Sequence, residues 1–186
     1  MVMSTWRTAI EAHYRKNWRV APQGCPFFAG PIHQLPREFA VLKLPPREDR
    51  KMWTYATCCM SQPDDPKSIE LHMFSPYESE DIVELLFATA HYHITAARLD
   101  LGHSVNFGRP WLDGSNCQHG LISLPYLDGP LLENLTVGSS VAKFYWLIPI
   151  SASEVAFKKQ NGVEALEQRF EDSGFDYLNP QRESVV

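Results

Sequence analysis

Residues 79–102 constrain the fold more than any other segment. Ile82, Leu86, Ala90, Ile94, Ala97 and Leu101 recur at intervals of three and four, which places them on one face of a helix. Leu85, Phe87 and Leu99 widen that face. Ser75-Pro76-Tyr77-Glu78 reads as a capping box with proline at the first helical position, and Ser79 is a rival N-cap. Gly102 is placed as the C-terminal glycine. A helix to Leu101 with so broad an apolar side needs a sheet or another helix to lie on.

The segments before it supply that sheet. Phe39 to Leu44 reads as a strand ended by Pro45-Pro46, and Met52 to Met60 is rich in aromatic and β-branched residues. Ile69 to Phe74 alternates, with Ile69, Leu71 and Met73 predicted inward and Glu70 and His72 outward. Short loops make these strands antiparallel neighbours. An N-terminal helix over residues 5–18 is predicted from Trp6, Ile10 and Tyr14, with Thr5 as its N-cap. Residues 21–37, with four prolines and two glycines, read as an irregular arm.

After the long helix, His103 to Phe107 is a short strand and residues 108–120 a loop. Leu121 to Tyr126 is a strand placed near an edge by Pro125. Residues 128–139 look loop-like. Val141 to Ile150 is almost wholly apolar, as expected of a central strand buried on both faces. Ser151 or Ser153 caps a following helix, Gly162 breaks it, and a last helix covers about 163–172. The order is helix, strands, long helix, strands, two helices. It predicts an α+β domain: a mixed, largely antiparallel sheet with helices packed against it. The 186 residues make one domain, with a core at about 35–172, an N-terminal helix and arm over 1–34, and a tail over 173–186.

Several function classes find little support. The formal net charge of -5 is unlike the basic face of a nucleic-acid binder, and suits either solubility or a basic partner. The longest apolar run, Phe144 to Ile150, falls short of the ~20 residues that cross a bilayer. The N-terminal residues lack the pattern of a secretion signal, so a cytoplasmic location is expected. Cys25, Cys58, Cys59 and Cys117 fit neither a zinc ribbon nor a redox pair, and read as reduced thiols. There is no nucleophile elbow and no phosphate-binding glycine loop. His91 and His93 diverge by about 200° on a helix and cannot share a metal from it. Only His103, Cys117 and His119 offer a metal-dependent enzyme as a reading, with no third ligand fixed by spacing. No cofactor or metal is expected. The aromatic residues Trp53, Tyr55, Trp111, Tyr126, Phe144, Tyr145 and Trp146 are either core or contact anchors, since Trp and Tyr dominate protein-binding hot spots.

The ordered set of motifs resembles the suppressor-of-fused (SUFU) domain family. Trp53 to Ser61 followed by Ile69-Glu70-Leu71 is similar to its early strand pair. Leu85-Leu86, Ala90 and Leu101-Gly102-His103-Ser104-Val105 resemble its central helix and the turn after it. His119-Gly120-Leu121-Ile122 resembles its next strand, and Phe144 to Ile150 with Ser153-Glu154 and Asn161 to Leu166 its closing strand and helix pair. Cys59 departs from the pattern, which has glycine there; a left-handed backbone at that position would strain cysteine. The resemblance implies a non-enzymatic protein-binding domain. In stand-alone bacterial members it implies an immunity protein that neutralises a toxin; the alternative is an adaptor holding a regulator's peptide by strand addition, with Leu121 to Tyr126 as the edge. The expected partner is a protein, toxin or regulator, with no nucleic acid or membrane involved. Tyr55, His103, Trp111, His119 and Tyr126 are the candidate contact residues.

Overall fold

The computed structural model describes residues 4–186. Helix α1 (Thr5–Trp18) starts after Ser4, not Thr5, because the Ser4 hydroxyl accepts the Arg7 N–H. Its buried face is Trp6, Ile10, Tyr14 and Trp18. Strands β1 (Gln23–Cys25), β2 (Ala40–Leu44), β3 (Trp53–Cys58) and β4 (Ile69–Ser75) follow as an antiparallel run. The arm is thus not wholly irregular: Gln23 pairs with Lys43 and extends the sheet by one strand.

Helix α2 (Glu80–Thr95) is capped by Ser79, whose hydroxyl accepts the Asp81 N–H. It stops well before Leu101. The buried His93 ring accepts the Leu99 N–H through Nδ1 at 2.9 Å, which turns the chain out of the helix. Ala97 and Leu101 are consequently exposed, while Leu99 is buried. Gly102, at φ 78°, serves the turn into β5 (Ser104–Asn106) and donates its N–H to Ile122.

Strand β6 (Cys117–Ser123) begins inside the predicted loop and ends before Tyr126. It is not an edge, because β5 pairs with one side and β8 (Ser140–Ser151) with the other. Between them lie α3 (Pro130–Glu133) and β7 (Asn134–Val137), in the segment predicted to be loop. The sheet order is β1-β2-β3-β4-β8-β6-β5, and β7 also pairs with β8. Among the described residues, only β4 and β8 run parallel. Strand β8 is therefore central, as its apolar sequence requires, and nearly every residue from Phe144 onward is buried. Ser151 and Glu154 form a capping box on α4 (Ala152–Asn161), and α5 (Val163–Ser173) follows after Gly162.

Alternate residues of the strands feed two apolar layers. Val41, Tyr55, Leu71, Met73, Tyr145 and Leu147 meet Ile82, Leu86 and Ala90 of α2. On the other face, Leu42, Leu44, Ala56 and Phe144 meet α1. Phe74, Trp146, Ile148 and Ile150 meet α4, α5 and the C-terminal segment. This second cover explains why Glu70 and His72 do not face water: each is at most 1 % exposed. Gly120 shows how tightly the sheet is packed. A Cβ there would lie 2.6 Å from both Leu147 and Phe107. Gly120→Ala should cost about 1–3 kcal/mol, measured as a lower urea midpoint with an unchanged slope.

Residues 173–186 are not a loose tail. Arg182 donates two hydrogen bonds to the fully buried Glu154, at 2.7 and 2.8 Å, and one to the Pro149 carbonyl. Val185 N–H also donates to Glu154. The guanidinium partner and these donors hold the Glu154 carboxyl below its ordinary range despite burial, which acts in the opposite direction.

Candidate protein-binding site

The five predicted contact residues do not come together. Tyr55 is 1 % exposed, and its hydroxyl accepts the Ser79 N–H at 2.8 Å, seating the start of α2. Burial pushes its pKa up to about 12. Trp111 is also 1 % exposed and fills the core on the α2 side. Both serve the interior and present no surface. His103 is exposed just before β5, and His119 lies opposite Asn106 on the same hairpin. Among the described residues, no three His, Cys, Asp or Glu side chains are grouped to hold a metal ion. The trio His103, Cys117 and His119 is thus not assembled, with Cys117 buried and His103 outside.

Tyr126 borders a cleft with an exposed ring, whereas the buried Tyr55 only backs a second one, beside Lys43 and Glu78. Tyr126 follows β6, is 58 % exposed, and donates a 3.3 Å hydrogen bond to Glu167 of α5. Ser123 at the end of β6 donates to the other Glu167 oxygen. These two bonds fix the β6 end against α5. Burial, with the Glu167 charge second, raises the Tyr126 pKa, so the hydroxyl stays a donor. The cleft between them has a volume of about 410 Å³.

Its floor is aromatic. Trp146 projects from β8, with Phe74 of β4 beneath it at 5.2 Å between ring centroids. Tyr177 meets Trp146 edge-on at 5.3 Å, and Phe175 stacks on Phe170 at 4.3 Å. Such contacts add about 0.5–1.5 kcal/mol beyond burial. The rings are held from behind by Arg182, whose guanidinium lies over Phe170 and Phe175. The rim carries Glu164, Glu167 and Glu171, with no lysine or arginine in the described lining. A larger groove follows the arm near Phe27, Phe28 and Phe39, where Arg37 and His33 stand among mainly apolar groups. The cleft thus combines an aromatic floor with a one-signed rim.

Sequence reasoning missed Phe175 and Tyr177. The signal was available, since two aromatic residues two apart in a supposed tail need somewhere to pack.

The family model for Suppressor of fused protein (SUFU) matches residues 36–183, a span that takes in Arg182 and most of the C-terminal segment. The chain belongs to the SUFU family. A solved SUFU homologue from Neisseria gonorrhoeae FA 1090 is 31% identical, with 97% of each chain covered and a TM-score of 0.85. The structure of the Sufu-Fu complex matches at 15% identity, with 97% of this chain and 92% of that one covered and a TM-score of 0.73. Drosophila Suppressor of Fused matches at 15% identity and a TM-score of 0.72, over 99% of this SUFU domain and 54% of that chain. At these two identities the likeness is one of fold. A search of curated proteins finds no significant match. The SUFU family is one of non-enzymatic, protein-binding domains, and the Sufu-Fu complex is an instance of a member with its partner. No helix among the described residues is long and apolar enough to cross a membrane.

Proposed function

We propose that this SUFU domain binds and silences another protein, as an immunity protein silences a toxin, and that the α5 cleft belongs to the contact face. The observation that carries the reading is the cleft itself: an aromatic floor, an exposed Tyr126 and a charged rim on a member of a protein-binding family. Blocking a partner needs no catalytic group. It needs a rigid surface large enough to cover the partner's own site, and the interlocked β6, β8 and α5 provide one. The action is placed in the cytoplasm, with a toxin as the first partner class and a regulatory protein as the second.

The adaptor alternative requires an open sheet edge. Of its predicted edge, Leu121–Ser123 lies within the sheet, which leaves β1, β5 and β7 for such a guest. Crosslinking a tagged protein in its native cells should recover one protein partner in stoichiometric amount, lost on substitution of Tyr126 by alanine. Clean recovery without any partner would overturn the binding reading. A partner displaced by an isolated linear peptide, and indifferent to Tyr126, would favour the adaptor.

A further inference from the structure

We infer that the α5 cleft accepts an amphipathic, basic segment of the partner; this rests on the binding reading above and specifies the chemistry of its occupant. Glu164, Glu167 and Glu171 lie at intervals of three and four, so they share one side of α5. Glu164 and Glu171 are exposed, and Glu167 is half-buried through its bonds to Ser123 and Tyr126. They span about 10 Å along the helix axis, at about 1.5 Å per residue. A basic side chain at each end of a two-turn helix, or at every third position of an extended strand, matches that span.

Beside this row runs apolar surface: Tyr126 at 58 %, Leu127 at 45 %, and the half-buried Phe175 and Tyr177. A ligand that was basic throughout would leave these rings in water, and one that was apolar throughout would bury the glutamates unpaired. An apolar stripe flanked by Lys or Arg satisfies both. The complementarity is not cancelled from the other bank, because Arg50 is committed to Asp128 and Arg169 is turned over Phe157. The net charge of -5 also favours the approach of such a segment.

The probe is a fluorescent 14-residue amphipathic peptide with a Leu/Trp stripe and lysines four and seven residues apart. Its controls are the same peptide with glutamate for lysine and a scrambled version. The basic peptide is expected to bind, the glutamate version at least about ten-fold more weakly, with a steep loss on raising salt. The double variant Glu164→Lys/Glu171→Lys should cut basic-peptide affinity at least about ten-fold without lowering Tm, as both residues are exposed. Equal binding of both peptides, or an unaffected double variant, would overturn the inference. Capture of the native partner separates the two levels. A partner kept by the double variant sinks the basic-segment inference and leaves the binding reading standing. A wild-type protein that captures no partner sinks the reading itself.

Discussion

Arg182→Ala is expected to cost about 3–5 kcal/mol at pH 7, the largest effect of any single substitution considered. The reason lies less in the ion pair than in what its loss leaves behind. Glu154 is fully buried, and without the guanidinium its charge keeps only the Ser151 and Val185 N–H groups as donors. Breaking one partner of a buried pair carries a penalty of that size, whereas replacing both partners by apolar groups can be neutral. The test is urea unfolding at pH 7 and at about pH 4.5. The native pair holds the Glu154 pKa low, so its stabilisation is present above the unfolded value and is lost as pH falls through the folded one. In the variant, burial is opposed only by the Ser151 and Val185 N–H groups and favours the protonated acid. The deficit should therefore shrink in acid. A deficit under about 1 kcal/mol at pH 7, or one independent of pH, would contradict the account. Arg182 also backs Phe170 and Phe175, so the same substitution should loosen the floor of the cleft and weaken partner capture.

The second large effect concerns Glu70, which lies in the interior beneath α1. Its carboxyl accepts from the Thr57 hydroxyl at 2.5 Å and from the Ser61 N–H at 3.0 Å, and Ser61 in turn accepts the Trp6 indole N–H. Burial, only partly offset by these donors, lifts its pKa to about 7. A raised folded pKa means stability that is complete below the unfolded value, near 4.5, and is lost as pH rises through about 7. The loss is about 3 kcal/mol, at about 1.4 kcal/mol per pKa unit. Glu70→Gln keeps an acceptor but cannot ionise. Its stability relative to the natural protein should rise by that amount between pH 4.5 and 8. His72 and His93, both lowered to about 4 chiefly by burial, work in the opposite sense, contributing above pH 6.5 and losing this on acidification. They are common to both proteins and cancel in the difference. Parallel pH curves for the two would refute the claim.

Legibility in the sequence followed element length and one-sidedness. The stripe from Ile82 to Ala90 and the apolar run from Phe144 to Ile150 announced α2 and β8 because each repeats one rule over many residues. Gln23-Gly24-Cys25 and Asn134 to Val137 are too short to carry a period, and only their partners make them strands. Glu70 and His72 alternate as solvent-facing residues should, yet α1 and the C-terminal segment cover that face; a single strand cannot reveal a second layer. The end of α2 was hidden for a similar reason, since the apolar stripe continues past Thr95 and His93 ends the helix through a side-chain bond. Cys59 was legible in part: it stands where the family pattern has glycine, and it takes φ 64°, the left-handed value. Of the proposed contact face, Tyr126 was named from the sequence and its setting was not. Trp146, Glu167 and Phe175 are neighbours only after β8, α5 and the C-terminal segment have packed.

The place of β8 in the sheet has a kinetic consequence. Without it, the remaining order falls into a four-stranded meander, β1 to β4, and a separate β5–β6 hairpin. No nearer strand can join them, because Ile69 must wait for Lys143 and Leu121 for Ile148. A chain leaving the ribosome thus carries two unfinished sheet edges until β8 emerges, and its folding rate is set by that long-range closure rather than by its helices.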